Sequence, residues 1–213
     1  MAKQLALYYS PGRASMVVHV MLQHLNLPHT LHFVDVPKRD QHTPEYLRLN
    51  PNGHVPTLLI DEKPMCEAAA ITMFLADRYH EAKLAPSADD PKRQVYLQWF
   101  FHFANTLQPA YRLWFYPSDL PGVDHEQVKV AVRARIEKTW EQVDQHLQTT
   151  GGPFMLGEDV TALDIYATML MRWSRNMPKP ATEWPHVATL ANHVTSLPSW
   201  QKVNEIEGNK DWL

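Results

Sequence analysis

Apolar residues recur along the chain with two distinct periods, and the change from one to the other divides it. Residues 4–9 (QLALYY) form a short apolar, β-prone run stopped by Ser10-Pro11-Gly12, a turn signal. Val17, Val18, Met21 and Leu22 then recur at helical spacing up to Leu25. Residues 29–36 (HTLHFVDV) alternate as a second strand, and a β-α-β crossover of this length pairs its strands in parallel. A short helix is expected around Pro44–Leu49, followed by the turn Asn50-Pro51-Asn52-Gly53. Pro56–Ile60 and Lys63–Cys66, separated by Asp61-Glu62, predict an antiparallel hairpin. A helix from Glu67 to about Ala82 follows, with Ile71, Phe74, Leu75 and Tyr79 on one face.

The first part therefore runs β-α-β-α-β-β-α, the order of a thioredoxin-like domain over residues 1–83. Leu84–Pro91 is the expected linker, because Pro, Ser and Asp end the helical pattern there. Residues 92–213 are expected to form an all-helical domain. Val95, Trp99 and Phe103 open a long helix running to about Phe115, and Val128 to Leu147 keep helical spacing through a second. Thr161-Ala162-Leu163-Asp164 has the spacing of a capping box at the start of another. Two shorter helices, roughly 187–196 and 198–206, close the chain.

Composition narrows the function classes. With 213 residues, 45% hydrophobic and 20% charged, the chain is an ordinary globule with enough residues for two modest cores. Its net charge of −3 is spread out with no basic stripe, which argues against a nucleic-acid partner. No apolar run reaches membrane-span length, and the N-terminal residues lack the order of a signal peptide, so no membrane partner is expected. A single cysteine, Cys66, rules out an internal disulfide and suits a reducing, cytoplasmic compartment. The twelve histidines are scattered, and no cluster has the spacing of a metal site.

Candidate chemistry concentrates at three places. A redox CxxC would follow the first strand, but Pro11-Gly12-Arg13-Ala14-Ser15 holds no thiol, which excludes disulfide exchange through it. Hydroxyls stand there instead: Tyr8, Tyr9, Ser10 and Ser15, at a strand end and a first helical turn, where free N–H groups favour an anion. A hydroxyl donating to a bound thiolate lowers that thiol's pKa from about 8.5. Equally, Ser10 could simply cap the turn and one tyrosine belong to the core. Val55-Pro56 is the second place, where a cis peptide would turn the Val55 backbone outward to pair with an extended peptide. The third is Glu67-Ala68 at a helix start, suited to a carboxylate on the N–H groups and an ammonium on Glu67.

With these motifs in view, the chain resembles the cytosolic glutathione S-transferases over nearly its full length. The resemblance is carried by LYYSPGRAS, NPNGHVPTL, CEAAAITMFLADRY, GEDVTALDIYA and the late Leu197-Pro198-Ser199-Trp200, in that order and spacing. It implies glutathione held by His54, Val55, Pro56, Glu67 and the backbone of Ala68, as co-substrate with no other cofactor. It also implies a homodimer and an electrophile pocket between the domains, with Phe103, Asn105, Thr106, Tyr111 and Trp114 as candidates. The first motif is similar to bacterial, beta-like members that carry cysteine where this chain has Ala14, so enzyme-thiol chemistry is absent. A hydroxyl takes its place, with Ser10 ranked before Tyr9 and Tyr9 before Ser15. Ala68 stands where serine is usual, which removes one hydrogen bond to the ligand worth about 1 kcal/mol. The implied activity is conjugation of glutathione to small hydrophobic electrophiles. Alternatives are a glutathione-dependent isomerase, peroxidase or dehalogenase, or a non-catalytic relative binding ligands or proteins.

Overall fold

The computed structural model describes residues 4–209 and Trp212. The chain separates into two compact units, one comprising the residues up to Ala85 together with those from Thr195 onward, the other Pro86–Val194.

The first unit is built on a four-stranded mixed sheet in the order β2-β1-β3-β4. Its strands are β1 (Leu5–Tyr9), β2 (His29–Phe33), β3 (Thr57–Ile60) and β4 (Lys63–Cys66). β1 pairs with β2 in parallel and with β3 antiparallel, and β3 and β4 close the expected hairpin. Its helices are α1 (Ser15–His24), α2 (Pro44–Leu49) and α3 (Ala68–Arg78). The expected β-α-β-α-β-β-α order is therefore present, with β2 three residues shorter than the alternation suggests and α3 ending at Arg78. Helix α1 is apolar almost all round, and such a helix must be covered on every side. It packs on β1, on α3 and on α9 (Pro198–Glu207), with residues 15–22 all buried.

Membership of α9 in this unit differs from the expected division, which placed everything after residue 91 in the helical domain. The reason is tertiary: α1 has apolar surface beyond what the sheet and α3 cover, and Trp200 and Val203 of α9 are wholly buried.

The second unit is helical. Residues 92–115 form one helical rod made of α4 (Lys92–His102), a π-helical segment (Phe103–Leu107) and α5 (Gln108–Phe115). The π segment was not visible in the hydrophobic spacing. Pro109 accounts for it: proline has no N–H and collides with the carbonyl four residues back, so the preceding turn widens rather than breaks. α6 (His125–Thr149), α7 (Ala162–Trp173) and α8 (Pro185–Thr195) complete the unit, with Thr195 itself at the unit boundary. Its core is aromatic. Phe103 lies among Trp99, Trp140 and Tyr166, and Phe100 stacks on Tyr166. Trp140 Nε1 donates to Tyr111 Oη at 2.8 Å, both side chains being wholly buried. Tyr111→Phe strands that N–H and is expected to cost about 1–3 kcal/mol in urea unfolding. No helix among the described residues is long and apolar enough to cross a membrane.

Candidate functional site

Strand register brings the three candidate places into one row. Tyr8 stands opposite Thr57, and Thr57 opposite Cys66. One step beyond these pairs, Tyr9-Ser10, Val55-Pro56 and Glu67 end neighbouring strands on the same edge of the sheet. Two strand spacings separate β1 from β4, about 10 Å, which is the span of about three extended residues.

The middle of the row is Val55-Pro56, and its peptide bond is cis. The preceding carbonyl, His54 O, is held by Tyr46 Oη at 2.6 Å and Asn50 Nδ2 at 2.7 Å. Burial, partly offset by the hydrogen bonds with Thr57 and Asn50, pushes the Tyr46 hydroxyl up to about 12, so it remains a donor. Gly53 closes the turn before it at φ 63, and a Cβ there would lie 2.7 Å from the His42 ring. The Val55 backbone forms no hydrogen bond among the described residues, leaving both of its groups for a ligand strand. His54 itself is exposed, and Pro56 is buried.

At the β4 end, Glu67 is exposed and takes φ 71, ψ 110 before α3. A non-glycine residue rarely occupies that region, and such strain gathers at ligand sites. Ala68 is buried, and the first-turn N–H groups of α3 point away from their own helix bonds, as at any helix start. An anionic group on those N–H groups and an ammonium on the Glu67 carboxylate fit the chemistry present.

At the β1 end the structure separates the hydroxyls. Strand alternation puts Tyr8 and Tyr9 on opposite faces: Tyr8 stacks on His32 and meets Tyr46, whereas Tyr9 meets His19 of α1. Burial, then the Glu207 charge, raise the Tyr9 pKa above its ordinary value. Ser15 is wholly buried, and its hydroxyl is already committed. It accepts from Ser10 N–H and donates to Ser10 O, both at 3.1 Å. With its one hydrogen used, Ser15 pins the turn instead of serving a thiolate. Ser10 is 4% exposed, and its hydroxyl forms no hydrogen bond among the described residues. That leaves Ser10, like Tyr9, with a hydroxyl proton uncommitted among the described residues. Part of the anion-favouring helix start is also answered internally, because Gly12 N–H donates to Glu207 Oε2 at 2.9 Å.

The five electrophile-pocket candidates divide in the same way. Phe103 and Tyr111 are core residues of the helical unit, wholly buried among its own aromatics, and present no surface to a ligand. Asn105 is exposed, and Thr106 and Trp114 are half-buried; Asn105 and Thr106 lie on the π-helical segment, a geometry frequent at functional sites. Two residues at the site escaped the sequence reading, His19 and Glu207. The signal for His19 was a lone polar side chain inside the apolar run of α1.

Family models match both parts of the chain. The model of the glutathione S-transferase N-terminal domain covers residues 14–78, and that of the C-terminal domain covers residues 105–204. Glutathione S-transferase GstA from Escherichia coli O157:H7 is 29% identical over 206 residues, covering 96% of this chain and 99% of its own. Among solved structures, a glutathione transferase homologue from Sulfitobacter with bound glutathione superposes with a TM-score of 0.87 at 25% identity. That match covers 97% of this chain and 99% of the other. BphK, a bacterial GST solved as a ternary complex, has a TM-score of 0.83 at 28% identity, covering 95% of this chain and 99% of its own.

Proposed function

The chain belongs to the glutathione S-transferase family, and on that premise we propose that it conjugates the glutathione thiolate to small hydrophobic electrophiles. The observation that carries this reading is the row on the sheet edge: a free hydroxyl at one end, an unpaired strand backbone in the middle and a carboxylate beside a helix start at the other. Glutathione has the matching order of groups. Its thiol lies against Ser10, its cysteinyl backbone pairs with Val55, and its γ-glutamyl ammonium and carboxylate meet Glu67 and the N–H groups at Ala68. Glutathione is the co-substrate, and the residues named need no other cofactor for this step.

In this mechanism the glutathione thiol gives its proton to solvent, and the Ser10 O–H donates to the sulfur and stabilises the thiolate that results. The thiolate then attacks the electrophilic carbon, a carbon–sulfur bond forms, and the leaving group departs with its electron pair. Asn105, Thr106 and Trp114 are the candidates for contact with the electrophile. The family premise also supports a cytoplasmic homodimer, which sedimentation velocity tests directly.

Titration calorimetry with glutathione and turnover of chlorodinitrobenzene test the proposal together. Binding at millimolar glutathione or below, with saturable conjugation, is expected. No binding at those concentrations overturns the reading, and binding without turnover would make the protein a non-catalytic relative. Glu67→Gln keeps size but loses the charge-assisted bond to the ammonium, so the glutathione Kd is expected to rise about tenfold or more, with kcat little changed.

A further inference from the structure

Helix α1 carries one polar side chain in the middle of its apolar run, His19, and it is wholly buried. Its partner comes from the far end of the same unit. Glu207, the last residue of α9, is 7% exposed and sets Oε1 2.8 Å from His19 Nδ1. Its other oxygen accepts from Gly12 N–H at 2.9 Å and from Asn209 Nδ2 at 3.0 Å. A carboxylate can only accept, so His19 Nδ1 carries the hydrogen of this contact.

Local chemistry disfavours an acidic residue at that position. The C-terminal end of a helix is the negative end of its dipole, and burying a carboxylate costs several kcal/mol of lost hydration. Three donors offset this, and one of them belongs to the turn between β1 and α1. Gly12 occupies the left-handed region at φ 65 in that turn. Within the turn, Arg13 N–H donates to Ser10 O, and the Ser15 hydroxyl bonds both backbone groups of Ser10. Glu207 therefore ties the turn to an element 195 residues away. Tyr9 from β1 and His29 from β2 face the same pair, with ring centroids 5.8 Å and 5.7 Å from His19.

We infer that the buried His19–Glu207 pair is a clasp on the turn of residues 10–14, and that both are positioning residues which hold the Ser10 hydroxyl where the thiolate forms. This rests on the proposed function. Charge and positioning act on the bound thiol in opposite directions. By its charge alone, Glu207 opposes a nearby anion, so removing it would lower the thiol pKa. By its grip on the turn, Glu207 keeps the donor in place, so removing it raises the thiol pKa.

The double variant His19→Phe/Glu207→Met separates the clasp from a merely structural role, because buried pairs replaced by apolar side chains of similar volume commonly keep or gain stability. Unchanged or higher urea resistance is expected, with the glutathione Kd within about threefold, kcat lowered about tenfold or more, and the bound-thiol pKa raised. Retained kcat, or a lowered thiol pKa, overturns the inference. Glu207→Met alone, which leaves no acceptor for Gly12 N–H, gives the same readouts should the double variant not fold. It adds a test needing no ligand: the Gly12 amide is expected to lose hydrogen-exchange protection while α1 keeps it. Unchanged Gly12 protection overturns the clasp itself. A wild type that binds no glutathione instead overturns the proposed function, and the catalytic half of the inference with it.

Discussion

Ser10→Ala is expected to lower kcat for conjugation on the order of 100-fold while the glutathione Kd moves less than about threefold. The reasoning begins with what each hydroxyl is already doing. Ser15 spends its hydrogen on Ser10 O, and the Tyr8 ring packs against His32 and Tyr46 on the face opposite Tyr9. Burial, then the neighbouring Glu207 charge, raise the Tyr9 pKa above its ordinary value. Ser10 and Tyr9 both bring a hydroxyl without a protein partner among the described residues to the end of the row, and of the two Ser10 is the buried one. Losing that donor leaves binding to Val55 and Glu67 intact but removes a bond that strengthens as the sulfur becomes charged. The pH profile of kcat/KM should move with it, its acidic limb shifting upward toward the free-thiol value of about 8.5. Tyr9→Phe is the paired control and should stay within about threefold of wild type. Should Tyr9→Phe lose the activity and Ser10→Ala keep it, the assignment belongs to Tyr9.

The second large effect is on stability. Asp164 is wholly buried at the start of α7 and accepts three hydrogen bonds, from Met155 N–H, Thr161 N–H and the Thr161 hydroxyl, each at 2.7 Å. Asp164→Ala leaves all three donors buried and unpaired, so a loss of about 3 kcal/mol or more at pH 7 is expected from urea unfolding. Asp164→Asn rescues little, because its amide nitrogen faces donors. The group also sets a pH dependence with a definite sign. Burial raises its pKa from 3.8 to about 6, against the lowering effect of its hydrogen bonds. Over that interval the folded chain binds more protons than the unfolded one. The stability contributed by this group is therefore largest below pH 3.8, falls as pH rises toward about 6, and is flat above. Unfolding of Asp164→Asn followed across the same interval should lack that slope, and a slope unchanged from wild type would refute the assignment to Asp164.

Much of this fold is legible in local sequence because its determinants are local. The strand runs, the turn at Asn50-Pro51-Asn52-Gly53 and the Thr161–Asp164 box depend on residues a few positions apart, and each stands where the spacing puts it. Even the thiol-free first turn, which excludes a redox CxxC, is read from five consecutive residues. Where a choice depended on partners distant in the chain, local spacing left it open. Phe103 and Tyr111 share helical spacing with Thr106 and Trp114, but only packing shows that the first two are enclosed by Trp99, Trp140 and Trp173. The three hydroxyls differ little in local spacing, and the bonds of Ser15 to Ser10 are what set Ser15 apart from Ser10 and Tyr9.

The two ends of the chain make the contrast plainest. By itself the sequence determined the order of elements, the hydrophobic faces and the chemical types available at each turn, since these follow from backbone preference and from periods of two and 3.6 residues. Tertiary structure alone decided that α9 returns to α1 and that Glu207 meets His19 and Gly12 across nearly the whole chain. The physical reason is that a buried polar group must find a partner wherever one can be brought to it, and nothing in local spacing says where that will be.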